Sequence, residues 1–367
     1  MIESLFISRF KCFDDVRLLV KGLTVLTGLN GAGKSSAIQA LLLSRLAVDG
    51  STHIPLNGPF GLALGEAVDV LTFDADPAEG IAIGLYDSGV EYRWRFGVGD
   101  PGLRRPYLTV ETRPGTLPPT VAAAGRRFTY LAAERLGPRD VVEASSEASS
   151  ELEVGYAGQF TAQILNVCAK DPVPEKRRNQ RNASRRLTDL HHQVEWWIGE
   201  IVRDVEIETE WYSGTNMVGL RFRGLGFRSE WTRPANTGFG LTYTLPIVVA
   251  GLLAPRGGLL VVENPEAHLH PAGQSAMGAF LARVAGDGVQ VILETHSDHV
   301  ISGIRRGIAE FRLVEAPDVV VHFFRGGKDR PETLDIADSG QISGWPKGFF
   351  DQIEIDLAAL ARIGRRR

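Results

Sequence analysis

The sequence predicts an α/β protein built on a parallel sheet whose strands are joined by crossover helices. Three observations carry that reading. Residues 23–27, LTVLT, form an apolar strand that runs through a glycine-rich loop into a helix at 35–46, where Ile38, Leu41, Leu42 and Leu46 share one face. Residues 259–263 are a second apolar run, closed by the acid Glu263, and residues 289–294 a third, closed by Glu294. Helical lengths at 271–284 and 298–306 separate them, as crossovers between parallel strands require.

The remaining elements follow in order. An alternating run at 4–10 precedes the glycine loop. Strands are expected at 81–86, 91–97, 107–111 and 128–132, punctuated by Asp100-Pro101-Gly102 and Pro114-Gly115, as in a mixed or antiparallel sheet. The region from about 140 to 204 reads as a helical insertion above the main sheet. It holds an acidic-serine loop and helices at 159–169 and 187–203, with the cationic run KRRNQRNASRR at 176–186 between them. Strands at 311–314 and 319–324 and a helix after Pro346 close the chain. The expected domains are a head over 1–322 and a short C-terminal domain over 323–367.

The 367 residues carry a net charge of −4, with 44% hydrophobic and 23% charged residues. A chain of this length buries about 75% of its unfolded surface. A net negative chain is no general polyanion binder, so any nucleic-acid contact must come from a local patch. Two cysteines, Cys12 and Cys168, build neither a disulfide framework nor a cysteine zinc site. The N-terminus lacks the features of a signal peptide, and the longest apolar stretch, 245–253, is broken by Pro246 and Gly251. The expected location is cytoplasmic.

Residues 28–36, GLNGAGKSS, fit the G-x-x-x-x-G-K-[ST] pattern between a strand and a helix. Glycines there let backbone N–H groups curl round a phosphate at the positive end of the helix. Gly28, Asn30, Gly31, Gly33 and Ser36 would form the cradle, Lys34 would meet the β- and γ-phosphates, and the Ser35 hydroxyl would bind Mg²⁺. Glu263, at the C-terminal end of a parallel strand where ligands collect, is the metal-side carboxylate. His296 follows the next strand in Glu294-Thr295-His296-Ser297 and is placed to sense a γ-phosphate. His268 and His270, spaced as His-Leu-His, read as a structural turn because no third metal ligand lies near.

Together these elements resemble the ABC-type ATPase heads of the SMC, RecF and OLD group, in which an apolar run, Asp-Glu-Pro-Glu, His-Leu-His-Pro and Thr-His-Ser follow one another. Residues 130–139 (YLAAERLGPR), 236–242 (NTGFGLT) and 345–352 (WPKGFFDQ) are similar to a subgroup of stand-alone ATPases with a short C-terminal domain of unknown function. The resemblance implies a P-loop head of two lobes with a mixed sheet, dimerising around ATP and Mg²⁺. Gly238 and Gly240 would then reach the nucleotide of the other subunit, and Lys11 would lie near its own. It also implies a separate effector protein, in DNA repair or anti-phage defence. About forty residues follow Phe324, too few for the nuclease domain of the OLD group, and no heptad stretch offers a coiled-coil arm.

One departure bears on activity. Where the wider group has Asp-Glu, this chain has Glu263-Asn264, and an amide cannot take the proton of an attacking water as a carboxylate can. Hydrolysis is then slow, or Glu294 serves as the base. The alternative is a nucleotide-locked scaffold or DNA-binding module that does not hydrolyse. A transporter subunit is disfavoured by the absence of an LSGGQ-type signature. The cations Lys176, Arg177, Arg178, Arg181, Arg185 and Arg186 are the candidate contact for DNA or an acidic partner.

Overall fold

All but the short edge strand of the central sheet are buried on both faces, so the sheet needs cover on both sides. In the computed structural model, which describes residues 1–100, 102–179, 187–224, 230–327, 329–344, 346–350, 355–357 and 359–361, that cover is an antiparallel lobe with one helix on one face and a helical layer on the other. The central sheet has the order β15 (Glu332–Leu334), β14 (Val319–Phe324), β3 (Leu23–Gly28), β13 (Gln290–Glu294), β12 (Leu259–Glu263) and β8 (Phe128–Leu131). All its pairings are parallel except that of β15 with β14.

Alternation along each strand divides the core. Leu259 and Val261 face one way, with Leu26, Ile292 and Phe324, against α1 (Lys34–Leu46) and the antiparallel lobe. Leu260 and Val262 face the other way with Val25, Val291 and Leu293. There they meet α4 (Leu190–Ile201), α5 (Phe239–Leu253), α6 (Pro271–Gly286) and α7 (Asp298–Ala309). The antiparallel lobe runs β2 (Phe13–Leu19), β1 (Ile2–Phe10), β5 (Ile81–Asp87), β6 (Val90–Gly97), β7 (Tyr107–Thr112) and β4 (His53–Pro55). A single turn, α2 (Pro119–Ala122), leads from it back to the central sheet.

The inserted region holds the expected helices, α3 (Thr161–Val167) and α4, and also a three-stranded sheet. That sheet orders β10 (Val205–Trp211), β11 (Met217–Gly224) and β9 (Val141–Glu143), so the insertion runs past 204. The strand expected at 311–314 does not form. The Leu313 amide donates to the Gly307 carbonyl and Arg312 takes φ 51°, so this backbone closes the C-terminus of α7 rather than entering a sheet. The expected boundary between 322 and 323 falls inside β14, whose Phe323 and Phe324 pair with Thr27 and Gly28. Beyond it, Phe349 is buried edge-on to Phe323 at 5.3 Å, and residues 355–357 and 359–361 are helical. Among the described residues, no helix is long and apolar enough to cross a membrane.

Candidate functional site

Parallel strands β3, β13 and β12 bring their C-terminal ends to one edge, and the site is built there. The loop leaving β3 is closed tightly. Gly28 has φ 133°, and a Cβ on it would lie 2.1 Å from the Phe324 carbonyl oxygen, so only glycine fits. Gly31 (φ 69°) and Gly33 (φ 106°) also lie in the left-handed region, and a Cβ on Gly33 would strike Cys12 Sγ at 2.6 Å. Gly33 caps α1 without any side-chain hydrogen bond, so the first N–H groups of the helix stay open at its positive end.

The loop encloses a cavity of about 280 Å³. Asn30, Gly31, Gly33, Lys34, Ser35 and Ser36 line one wall, Glu294 and His296 another, and Lys11 with Gln39 the far end. Of the sequence-predicted residues, Lys11, the loop residues from Asn30 to Ser36, Glu294 and His296 thus converge, with Gln39 added: Lys11 Nζ donates to Gln39 Oε1 at 2.7 Å. Lys34 is 3% exposed, and its Nζ donates to the carbonyls of Gly28 (3.1 Å) and Leu29 (2.7 Å). Burial pushes the Lys34 ammonium below its ordinary pKa, while Glu294 and Glu266 act against that shift. Lys11 is lowered in the same way, by burial first.

The carboxylates are arranged differently from the expectation. The motif spacing pairs Ser35 with Glu263 on Mg²⁺, but Ser35 Oγ donates to Glu294, 3.0 and 3.2 Å from the two carboxylate oxygens. Because β13 lies between β3 and β12, the carboxylate beside the loop must come from β13. Glu263 does not line the cavity. It accepts a 2.8 Å hydrogen bond from the Tyr130 hydroxyl on β8. Glu263 and Glu294 are register partners on adjacent strands, and burial followed by their charges raises Glu263 above the usual carboxylate range. Burial likewise raises Glu294, against the lowering effects of Ser35 and Lys34.

Asn264 also lies off the cavity, in a turn with φ 44°, a conformation that asparagine tolerates better than most side chains. Its amide donates to the Glu294 carbonyl at 2.9 Å. Glu266, absent from the expected site, accepts from Thr295 Oγ1 (2.8 Å) and the His296 amide (2.7 Å), tying the β12 loop to the β13 loop. His296 Nε2 stands 3.8 Å from Glu294, and burial, then Lys34, lowers its pKa, favouring neutral imidazole. The acid at 266 was legible in the ENPEAHLHP run, but its partners lie about thirty residues away.

Gly238 and Gly240 are elsewhere. They open α5, and neither lines the cavity. Gly238 (φ 87°) is an exposed cap without a side-chain bond, and a Cβ on Gly240 would lie 3.0 Å from the His268 carbonyl oxygen. His268 stacks between Phe239 and Tyr243, at 5.1 and 4.7 Å, and His270 accepts from the Ala272 amide at the start of α6. Residues 56–66 do not line the cavity either.

The cationic run divides. Arg181, Arg185 and Arg186 lie outside the described residues. Lys176 is exposed, and Arg178 is half-buried with its Nε on the Val173 carbonyl. Arg177 is no surface contact. It is fully buried, 2.9 Å from Asp287, and donates also to the carbonyls of Gly251 and Ala254. A guanidinium that far from water must be paired, and Asp287 at the end of α6 pairs it.

Comparison with known proteins bears on the fold. Residues 179–301, about a third of the chain, match the AAA ATPase domain family, a stretch holding the β12 and β13 acids but not the glycine loop. Residues 314–360 match a protein family of unknown function, which fits the short C-terminal segment. The SMC head domain with an extended coiled coil bound to the C-terminal domain of ScpA, from Pyrococcus furiosus, aligns over 99% of both chains at 11% identity, with a TM-score of 0.54. An SMC head bound to the C-winged helix domain of ScpA aligns over 91% of this chain and 97% of its own, at 12% identity and TM-score 0.52. At such identities the likeness is one of fold. No curated protein sequence matches the chain.

Proposed function

We propose that the head binds ATP with Mg²⁺ at the β3–α1 loop, closes on a second copy around the nucleotide, and hydrolyses it slowly to control a separate effector. The observation that carries this reading is the cavity itself: an uncapped helix N-terminus, a buried lysine bonded to loop carbonyls, a serine hydroxyl and a carboxylate face one space. That donor set suits a triphosphate, and one hydroxyl with one carboxylate suits a magnesium ion that keeps phosphate and water ligands. Ser35 would hold the metal, with Glu263 reached through a water, and the metal would supply charge neutralisation on the phosphate oxygens.

Lys34 would leave its two carbonyls for the β- and γ-phosphates. Glu294, which burial raises, is the candidate base, with neutral His296 ordering the water. The exposed, uncapped start of α5 at Gly238 and Gly240 offers free N–H groups to the nucleotide of a second copy. The effector acts in DNA repair or anti-phage defence, with DNA contact through Lys176, Arg178, Arg181, Arg185 and Arg186. Asn264 favours a second reading, a nucleotide-locked scaffold, since the position next to Glu263 holds an amide.

Phosphate release and light scattering with ATP and Mg²⁺ test the proposal together. Glu294→Gln should lower turnover by about 10²–10⁴-fold. Gly240→Asp should keep ATP binding and lose ATP-dependent dimers. Binding without turnover in the wild type would leave the scaffold, and equal mass with and without ATP would remove the dimer.

A further inference from the structure

Arg135 lies in the 130–139 segment, four residues beyond β8, and has no place in the scheme above. Its side chain is 2% exposed, and no carboxylate pairs with it directly among the described residues. Nη1 donates to the carbonyls of Ala132 (3.0 Å) and Glu263 (2.7 Å), and Nη2 to that of Asn264 (2.7 Å). Nε has no partner there. The guanidinium carbon sits 5.3 Å from the ring centroid of Tyr243, on the first turn of α5. A buried cation held by three carbonyls and a ring face is costly to keep, so its value must lie in what it holds.

It holds two things at once. On one side are the last residue of β12 and Asn264, in its left-handed conformation. On the other is Tyr243, which packs edge-on to His268 at 4.7 Å and tilted to Phe239 at 6.0 Å. Phe239 is 49% exposed and directly follows the Gly238 cap. A partner seated on the start of α5 would press Phe239 against His268 and Tyr243, and the guanidinium would carry that displacement to the Asn264 backbone.

We propose that Arg135 is a positioning residue that couples the glycine turn at the start of α5 to the acid end of β12, through Tyr243. The inference rests on the proposed ATPase cycle for its use but not for its test. Lysine at 135 keeps a charge but cannot span the Glu263 and Asn264 carbonyls as a planar fork does, and leucine at 243 removes the ring. Backbone hydrogen exchange on the nucleotide-free protein is the first arm. Arg135→Lys and Tyr243→Leu should each raise exchange at the amides of Asn264 and residues 267–269, and the double variant no more than either alone. Turnover is the second arm. Each variant should lower kcat tenfold or more while ATP affinity stays within threefold, a split that general destabilisation does not produce. Exchange changes confined to each variant's own element, or effects that add in the double variant, would overturn the coupling. Should Arg135→Lys fail to fold, Tyr243→Leu alone decides through the exchange at 264–269. A wild type that releases no phosphate would remove the hydrolysis reading, and the exchange arm would still decide the coupling.

Discussion

Two buried cations in this molecule, Lys34 and Arg177, have opposite fates. Arg177 lies in a run of like charge that reads as surface, yet it is fully buried with Asp287, which also receives Arg256. Lys34 is nearly as buried, but its hydrogen bonds among the described residues go to the Gly28 and Leu29 carbonyls, while Glu294 and Glu266 act on it from farther off. One cation has its counter-charge within the fold and belongs to stability. The other has a cavity in front of it and belongs to a ligand. Burial alone does not separate structure from function; the partner does.

Replacing each cation's environment sharpens that contrast. The largest effect should come from Lys34→Ala, which ought to remove measurable ATP binding by calorimetry while unfolding free energy stays within about 1 kcal/mol of the wild type, since no formed ion pair is broken. Retained affinity would make Lys34 merely structural. Next in size is Asp287→Ala, which strands Arg177 in the core. Breaking a buried pair costs about 3–5 kcal/mol, so the urea midpoint should fall by that equivalent, with ATP affinity in the remaining folded protein unchanged. A loss under about 1 kcal/mol would mean that water reaches Arg177.

The rest of the same run gives a smaller, salt-dependent effect. Neutralising Lys176, Arg178, Arg181 and Arg185, and leaving Arg177 in place, should flatten the salt dependence of duplex DNA binding, by up to about 0.9 in log–log slope for each phosphate no longer neutralised. Fluorescence anisotropy across a salt series measures it, and equal slopes would show these charges only solvated. The smallest effect concerns a half-buried acid. Glu153 is raised to about 7, by burial first and then by Glu147, with Arg45 opposing. A folded pKa above the unfolded value means that the folded state binds the extra proton between about pH 4.5 and 7, so stability is lost as pH rises through that window. Glu153→Gln should flatten that part of the stability–pH curve, by about 1–3 kcal/mol at most. An unchanged curve would show that water solvates the carboxylate.

Much of the site was legible because its signals are local. A strand, a glycine loop, a lysine and a helix lie within two dozen residues, and Gly28 and Gly33 are required by backbone angles and close contacts that leave no room for a side chain. The acids closing β12 and β13 were readable for the same reason. The β10–β11 hairpin is not among the expected elements although VEIETEW alternates strictly, because its alternating residues are mostly acids and carry little apolar signal. The strand expected at 311–314 does not form because four apolar-leaning residues suit a strand and the turn ending α7 equally well.

By itself the sequence determined the α/β class, the phosphate loop and the set of acids available to it, because periodicity and glycine placement act over a few residues. Only the tertiary structure decided which acid meets Ser35, that Tyr130 takes Glu263, that Arg135 ties β12 to α5, and that Arg177 is core. Those choices depend on strand order and on partners more than a hundred residues apart in most cases. Spacing along the chain carries no record of which strand lies between two others, and in this fold it is β13, between β3 and β12, that sets the carboxylate facing the loop.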